Sequence, residues 1–160
     1  VTPSKLNYNL QKLTFTFKIL YSKPVKNIKK ILVAIGDESS LNRCLNVAIP
    51  IAKGLGASIT GIHILAPYPR SFMTALEQPW RKQQKDNAEK YLDMARKKCE
   101  EHGVEFSKIV SRGQPRESIL EHEKEFDLLI IGRADWGSKL LGSVSNGVVT
   151  KATREVLLVR

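Results

Sequence analysis

From Ile28 onward the chain alternates short, unbroken apolar runs with longer segments whose apolar residues recur at helical spacing. Ile31-Leu32-Val33-Ala34-Ile35 reads as a strand buried on both faces, ending at Gly36-Asp37. Ser39 or Ser40 then caps a helix running to about Leu55, with Leu41, Leu45, Ala48 and Ala52 on its apolar side. Gly54 and Gly56 end it, residues 57–65 form a second strand, and Pro67 and Pro69 open a loop. A long charged helix is expected over residues 79–102, with Ala88, Tyr91, Leu92, Ala95 and Cys99 facing inward and Gly103 closing it. The pattern continues with a strand over 104–110, a helix from about Pro115 to Lys124, and a strand from Phe126 to Ile131 ending at Gly132. A helix after Gly142 leads to a last strand, Val156-Leu157-Leu158-Val159. Strand–helix alternation of this kind predicts an α/β fold, an open five-stranded parallel sheet with helices on both faces. Ligands of such sheets bind beyond the carboxyl ends of the strands, where the strand order reverses. Three places qualify: Gly36-Asp37, the loop after Leu65, and the glycine-containing stretch after Ile131.

The first 27 residues stand outside this alternation and form a separate extension, with the domain proper at 28–160. Leu13, Phe15, Phe17, Ile19 and Tyr21 share one side of an extended segment, and Thr14, Thr16 and Lys18 share the other. That is the pattern of a strand with one apolar face. A lone strand needs a partner in water, so it is expected to dock on this subunit or across a subunit boundary.

Charge sharpens the same division. The net charge is +10, yet residues 1–30 hold seven lysines and no acidic residue, leaving 19 basic against 16 acidic groups in the rest. A basic arm suits nucleic acid, anionic lipid or an acidic partner, and it also suits a plain solvated extension. With the body nearly balanced, nucleic acid is not the favoured partner. At 160 residues and 42% hydrophobic composition, the chain can bury a core without disulfides or metals. No apolar run approaches the roughly 20 residues needed to span a bilayer, and no secretory signal pattern is expected at the N-terminus. Cys44 and Cys99, in helical segments, read as packed, reduced thiols of a cytoplasmic protein.

Candidate chemistry concentrates between Ile131 and Ser145. There a buried strand leads through Gly132 and Gly137 to Gly142-Ser143 at a helix start. Glycine lets the backbone approach a ligand closely, and a helix N-terminus presents unpaired N–H groups and a positive dipole end to phosphate. On spacing alone, an equally simple reading has Gly142 break the chain and Ser143 cap the helix. Trp136 is best read as filling this loop. His63, His102 and His122 are scattered, and no histidine or cysteine pair has metal-ligand spacing. His63 reads as a packed strand residue, and the Glu-rich stretch 117–125 as the solvated face of a helix. Neither a Walker A loop nor a G-x-S-x-G elbow is present.

Lys29-Lys30-Ile31-Leu32-Val33-Ala34-Ile35, Leu55-Gly56-Ala57 and Gly61-Ile62-His63-Ile64 resemble the opening half of a universal stress protein domain. Gly113-Gln114-Pro115, Phe126 to Gly132, and Leu140-Leu141-Gly142-Ser143-Val144-Ser145 resemble its second half. The resemblance implies strand order 3-2-1-4-5, a homodimer formed through the last strand, and ATP or AMP, with or without magnesium, at the carboxyl ends of strands one and four. Carried over residue by residue, it implies an adenine pocket at Ala34 and the backbone of Ile64, ribose near Asp37 and Gly132, and phosphates at Gly142, Ser143, Val144 and Ser145. It further implies a binding and regulatory protein, not an enzyme, read by a protein partner still unidentified.

The chain departs from the nucleotide-binding pattern G-x2-G-x9-G-[ST]. Asp135 takes the second glycine position, Gly137 compensates in part, and Gly142 follows Gly132 by ten residues where the pattern has thirteen. Gly36 stands where family members usually place an aspartate, with Asp37 one residue later. Lys151-Ala152-Thr153-Arg154-Glu155 replaces the usual proline-rich approach to the last strand. A second expectation follows from these departures: an interaction module on the same fold with a degraded nucleotide site.

Overall fold

The computed structural model describes residues 27–133 and 142–160. The arm with its expected strand, and Asp135, Trp136 and Gly137, lie outside the described residues. The strands are β1 (Lys30–Ala34), β2 (Ser58–Leu65), β3 (Phe106–Arg112), β4 (Leu128–Gly132) and β5 (Glu155–Val159). The helices are α1 (Glu38–Leu55), α2 (Glu77–Glu101), α3 (Pro115–His122) and α4 (Ser143–Lys151), with 3-10 turns at Thr74–Leu76 and Glu123–Glu125. All strand pairs are parallel, in the order β3-β2-β1-β4-β5.

The unbroken apolar runs follow from a sheet covered on both sides. Ile31, Val33 and Ile35 pack with Leu41, Leu45 and Ala48 of α1 and Leu92 and Ala95 of α2. Leu32 and Ala34 pack instead with Ile119 of α3 and Val148 of α4. Successive side chains of a strand point to opposite faces, so both sets must be apolar. Among the described residues the first strand, β1, is at the sheet's centre, and the later strands are added outward in both directions. The winding reverses between β1 and β4, which opens a crevice at their carboxyl ends.

Several boundaries differ from the sequence-based expectation, each for a local reason. The cap of α1 is Asp37, not Ser39 or Ser40: its Oδ1 accepts the Ser40 N–H at 2.7 Å, and Ser40 Oγ accepts the Asp37 N–H at 3.1 Å. Ser40 belongs to the capping box, in the reciprocal role. β3 begins at Phe106 because Val104 closes α2, donating its N–H to the Cys99 carbonyl at 2.9 Å after Gly103 turns at φ +69°.

Glu123 lies on no solvated helix face. It sits in the 3-10 turn after α3, 1% exposed. Its carboxylate accepts the Thr153 N–H (2.9 Å), the Thr153 hydroxyl (2.7 Å) and the Arg154 N–H (3.0 Å). Asp127 acts similarly beside β1, accepting the N–H groups of Lys29 and Lys30 at 2.9 and 3.0 Å. Both carboxylates tie down strand starts, leaving the opposite ends of the strands to shape a site.

Candidate functional site

The crevice at the switch point is a cleft of about 510 Å³, within the range of small-molecule sites. Its floor is the carboxyl end of the sheet, where β1 gives way to Ile35, Gly36 and Asp37, and β4 to Gly132 and Arg133. Ala34, Asp37, Ile64, Gly132, Gly142, Ser143, Val144 and Ser145 all line it. Gly137 lies outside the described residues. Residues drawn from both halves of the chain thus meet in one cavity, as expected of a switch point.

Each wall has a distinct chemistry. Ile64 belongs to the last part of β2, past the end of β1. Ile62 accepts the Ile35 N–H and Leu65 accepts the Gly113 N–H, so even-numbered residues of β2 face β1 and odd-numbered ones face β3. Backbone groups alternate sides along a strand, so Ile64 turns both its N–H and its C=O toward the cleft. The opposite wall is the first turn of α4. Its N-cap, Gly142, has no side chain to satisfy the first-turn N–H groups, and Asn146 N–H already bonds the Gly142 carbonyl at 2.9 Å. The donors of residues 143–145 therefore face the cleft with the helix dipole behind them.

Two expected polar contacts have partners within the protein. Ser145 is buried and its hydroxyl donates to the Gly132 carbonyl at 2.9 Å. Asp37 uses one carboxylate oxygen for the cap, and its Oδ2 makes no hydrogen bond among the described residues. Arg43 enters from α1 and donates through Nη2 to the Arg133 carbonyl at 3.2 Å, holding the start of the loop.

His63 is both packed and a cleft residue. It is buried, its Nδ1 lies 2.8 Å from the Ile35 carbonyl, and its ring sits 6.0 Å from that of Tyr91. A carbonyl can only accept, so Nδ1 carries the hydrogen and Nε2 is the lone-pair nitrogen of the neutral ring. Burial pushes the His63 pKa below its ordinary value, outweighing the bond to Ile35, which acts the other way. Burial also pushes the thiols of Cys44 and Cys99 up to about 11, so neither behaves as a nucleophile. Among the described residues no cluster of histidine, cysteine and carboxylate side chains could hold a metal ion, and no helix is long and apolar enough to cross a membrane.

Sequence reasoning missed Arg43, Gln84, Asn87, Tyr91 and Arg133, all in the lining. For the α2 residues a signal existed. Positions 84, 87 and 91 share one helical face, beside the apolar stripe that Tyr91 was assigned to.

Fold and cleft together define a doubly wound α/β protein with a cleft at its topological switch point. The model of the universal stress protein family matches residues 27–160. The chain is 31% identical over 149 residues to universal stress protein YxiE of Bacillus subtilis (strain 168), a match covering 82% of this chain and 98% of that protein. The chain belongs to the universal stress protein family. Its fold is shared with the universal stress protein of Archaeoglobus fulgidus in complex with dAMP, at TM-score 0.65 and 20% identity, covering 84% of this chain and all of that one (100%). It is shared also with an Arabidopsis thaliana family member with AMP bound, at TM-score 0.63 and 22% identity, covering 81% of this chain and 90% of that one.

Proposed function

We propose that this protein is a regulatory module that binds AMP or ATP in the switch-point cleft and does not turn the nucleotide over. One observation carries the reading: the bare first turn of α4 behind Gly142 faces the backbone N–H and C=O of Ile64 across one cavity. A donor–acceptor pair on a strand edge matches the acceptor–donor edge of adenine, and an anion-seeking helix end matches its phosphates. Ala34, at 9% exposure, offers a small side chain beside the base. In this reading Asp37 Oδ2 accepts a ribose hydroxyl, and Ser145 contributes its N–H alone. The nucleotides bound by the two relatives agree with this class of ligand.

Asp37 and His63 are the cleft side chains able to take a proton, and this reading places them at the ribose and the adenine, away from the phosphates. The lowered pKa of His63 leaves a neutral ring at the base end, and hydrolysis is not expected. The engagement of Ser145 with Gly132 favours a second reading, an interaction module whose nucleotide site has decayed.

Thermal denaturation of ligand-free protein separates the two. A ligand that binds only the native state raises the melting temperature. ATP with magnesium, or AMP, is expected to raise it, and Gly142→Val to remove the shift by blocking the backbone. Mass spectrometry of the denatured purified protein should show co-purified AMP or ATP. No shift at millimolar nucleotide would leave the interaction module as the better reading.

A further inference from the structure

We propose that a second cleft, at the carboxyl ends of β2 and β3, is a binding site for a small, multiply charged phosphate compound, separate from the nucleotide cleft. It measures about 400 Å³ and adjoins the first cleft, the two meeting only at Gln84. Its floor is Leu65 and Arg112, paired in register at the strand ends. The first turns of α2 bring Trp80, Arg81, Lys82 and Lys85 over it.

Four cationic residues thus line one cavity, with no acidic side chain in its lining. Two are matched by carboxylates of their own helix: Arg81 pairs with Glu77 at 2.7 Å and Lys82 with Asp86 at 3.5 Å. Lys85 and Arg112 have no ion pair among the described residues, although they approach from different elements. Convergent unmatched cations repel one another, and an anion between them relieves the repulsion. The concave shape distinguishes this site from a solvated basic stripe. Pro67 and Trp80 wall it, and Trp80 is held edge-on against Tyr68 at 5.3 Å. Such walls suit a compact anion better than an extended polymer.

The occupant is not the tail of the nucleotide in the first cleft. The phosphates proposed there point toward α4, whereas the second cleft opens beyond Leu65, on the side of the base. The two sites can fill independently, and each proposal can fail without the other.

Inorganic tripolyphosphate is the probe, titrated into the full-length protein by calorimetry and followed by Trp80 fluorescence, with Trp80→Phe as the optical control. Saturable binding is expected, weakened about tenfold by Lys85→Gln and again by Arg112→Gln, the scale of one lost charge-assisted contact at a solvated site. Both residues are exposed, so these variants spare the core. Gly142→Val should bind the probe as wild type does, while losing AMP. The proposal is overturned if sodium chloride at equal ionic strength reproduces the signal, if the double variant titrates unchanged, or if Gly142→Val abolishes tripolyphosphate binding. Tighter binding of single-stranded oligonucleotide through the same two residues would also overturn it, in favour of an extended polyanion surface.

Discussion

Asp37 closes the capping box of α1 and also stands in the wall of the cleft, so two substitutions separate its roles. Alanine removes the acceptor for the Ser40 N–H and should cost about 1 kcal/mol in urea denaturation. Asparagine keeps that acceptor. Its one side-chain oxygen then goes to Ser40, leaving an NH2 group toward the ribose, so stability should hold while AMP affinity drops about tenfold. Unchanged AMP affinity in Asp37→Asn would mark the residue as a cap only. His63 makes a prediction about pH. Folding keeps its ring neutral by holding the pKa below 6.5, so the unfolded chain takes up the proton first as pH falls. The stability linked to His63 is therefore fully present above pH 6.5 and declines below it. His63→Asn, whose amide can still donate to the Ile35 carbonyl, should be destabilised less than wild type on passing from pH 7.5 to 5.5. Equal losses in both proteins would exclude His63 as the source. These roles were only half legible in the sequence. Asp37 could be placed at the end of β1, but its engagement with Ser40 depends on the extended backbone at the cap, φ −152° and ψ 178°.

Elements were more legible than residues because apolar periodicity is dictated by burial, and burial here is two-sided. β1, β4, β5 and the two long helices could be placed from the runs at 31–35, 128–131 and 156–159 and from the stripes of α1 and α2. What periodicity could not show was polar structure inside an otherwise apolar frame. Glu123 is the clearest case. Among Glu117, Glu121, Glu123 and Glu125 nothing marks it as different, and only the tertiary approach of Thr153 and Arg154 buries it. Here the segment 151–155, which lacks prolines, is held by a carboxylate that accepts three hydrogen bonds. Glu123→Ala would leave two backbone N–H groups with no acceptor and should cost about 3 kcal/mol. Hydrogen exchange should localise the damage, with protection lost first at Thr153 and Arg154 and then along β5. Uniform loss across the sheet would mean that Glu123 does not act as a local tie.

At the scale of the whole molecule, the sheet formed by the described residues has its edges at β3 and β5, and edges with apolar side chains seek cover. Val110 on β3 is 46% exposed, and Val156, Leu157 and Leu158 on β5 are only half-buried. The same chain carries an arm in which Leu13, Phe15, Phe17, Ile19 and Tyr21 alternate with polar residues, a pattern that demands an apolar acceptor. Burying one such side chain contributes roughly 1.5–3 kcal/mol, and an added strand would satisfy a sheet edge at the same time. We therefore expect a homodimer in which the arm of each protomer docks across the boundary and makes the pair hard to separate, with its lysines left outward. Light scattering on the full chain and on a truncation lacking residues 1–26 measures this directly. The full chain should weigh as a dimer on dilution, and the truncated one should dissociate at higher concentration and melt earlier. A truncated protein with the same mass and the same melting temperature would sink the docking idea. The lysines would then be best explained as a solvated extension, or as a contact for an acidic partner that salt titration of the full chain could reveal.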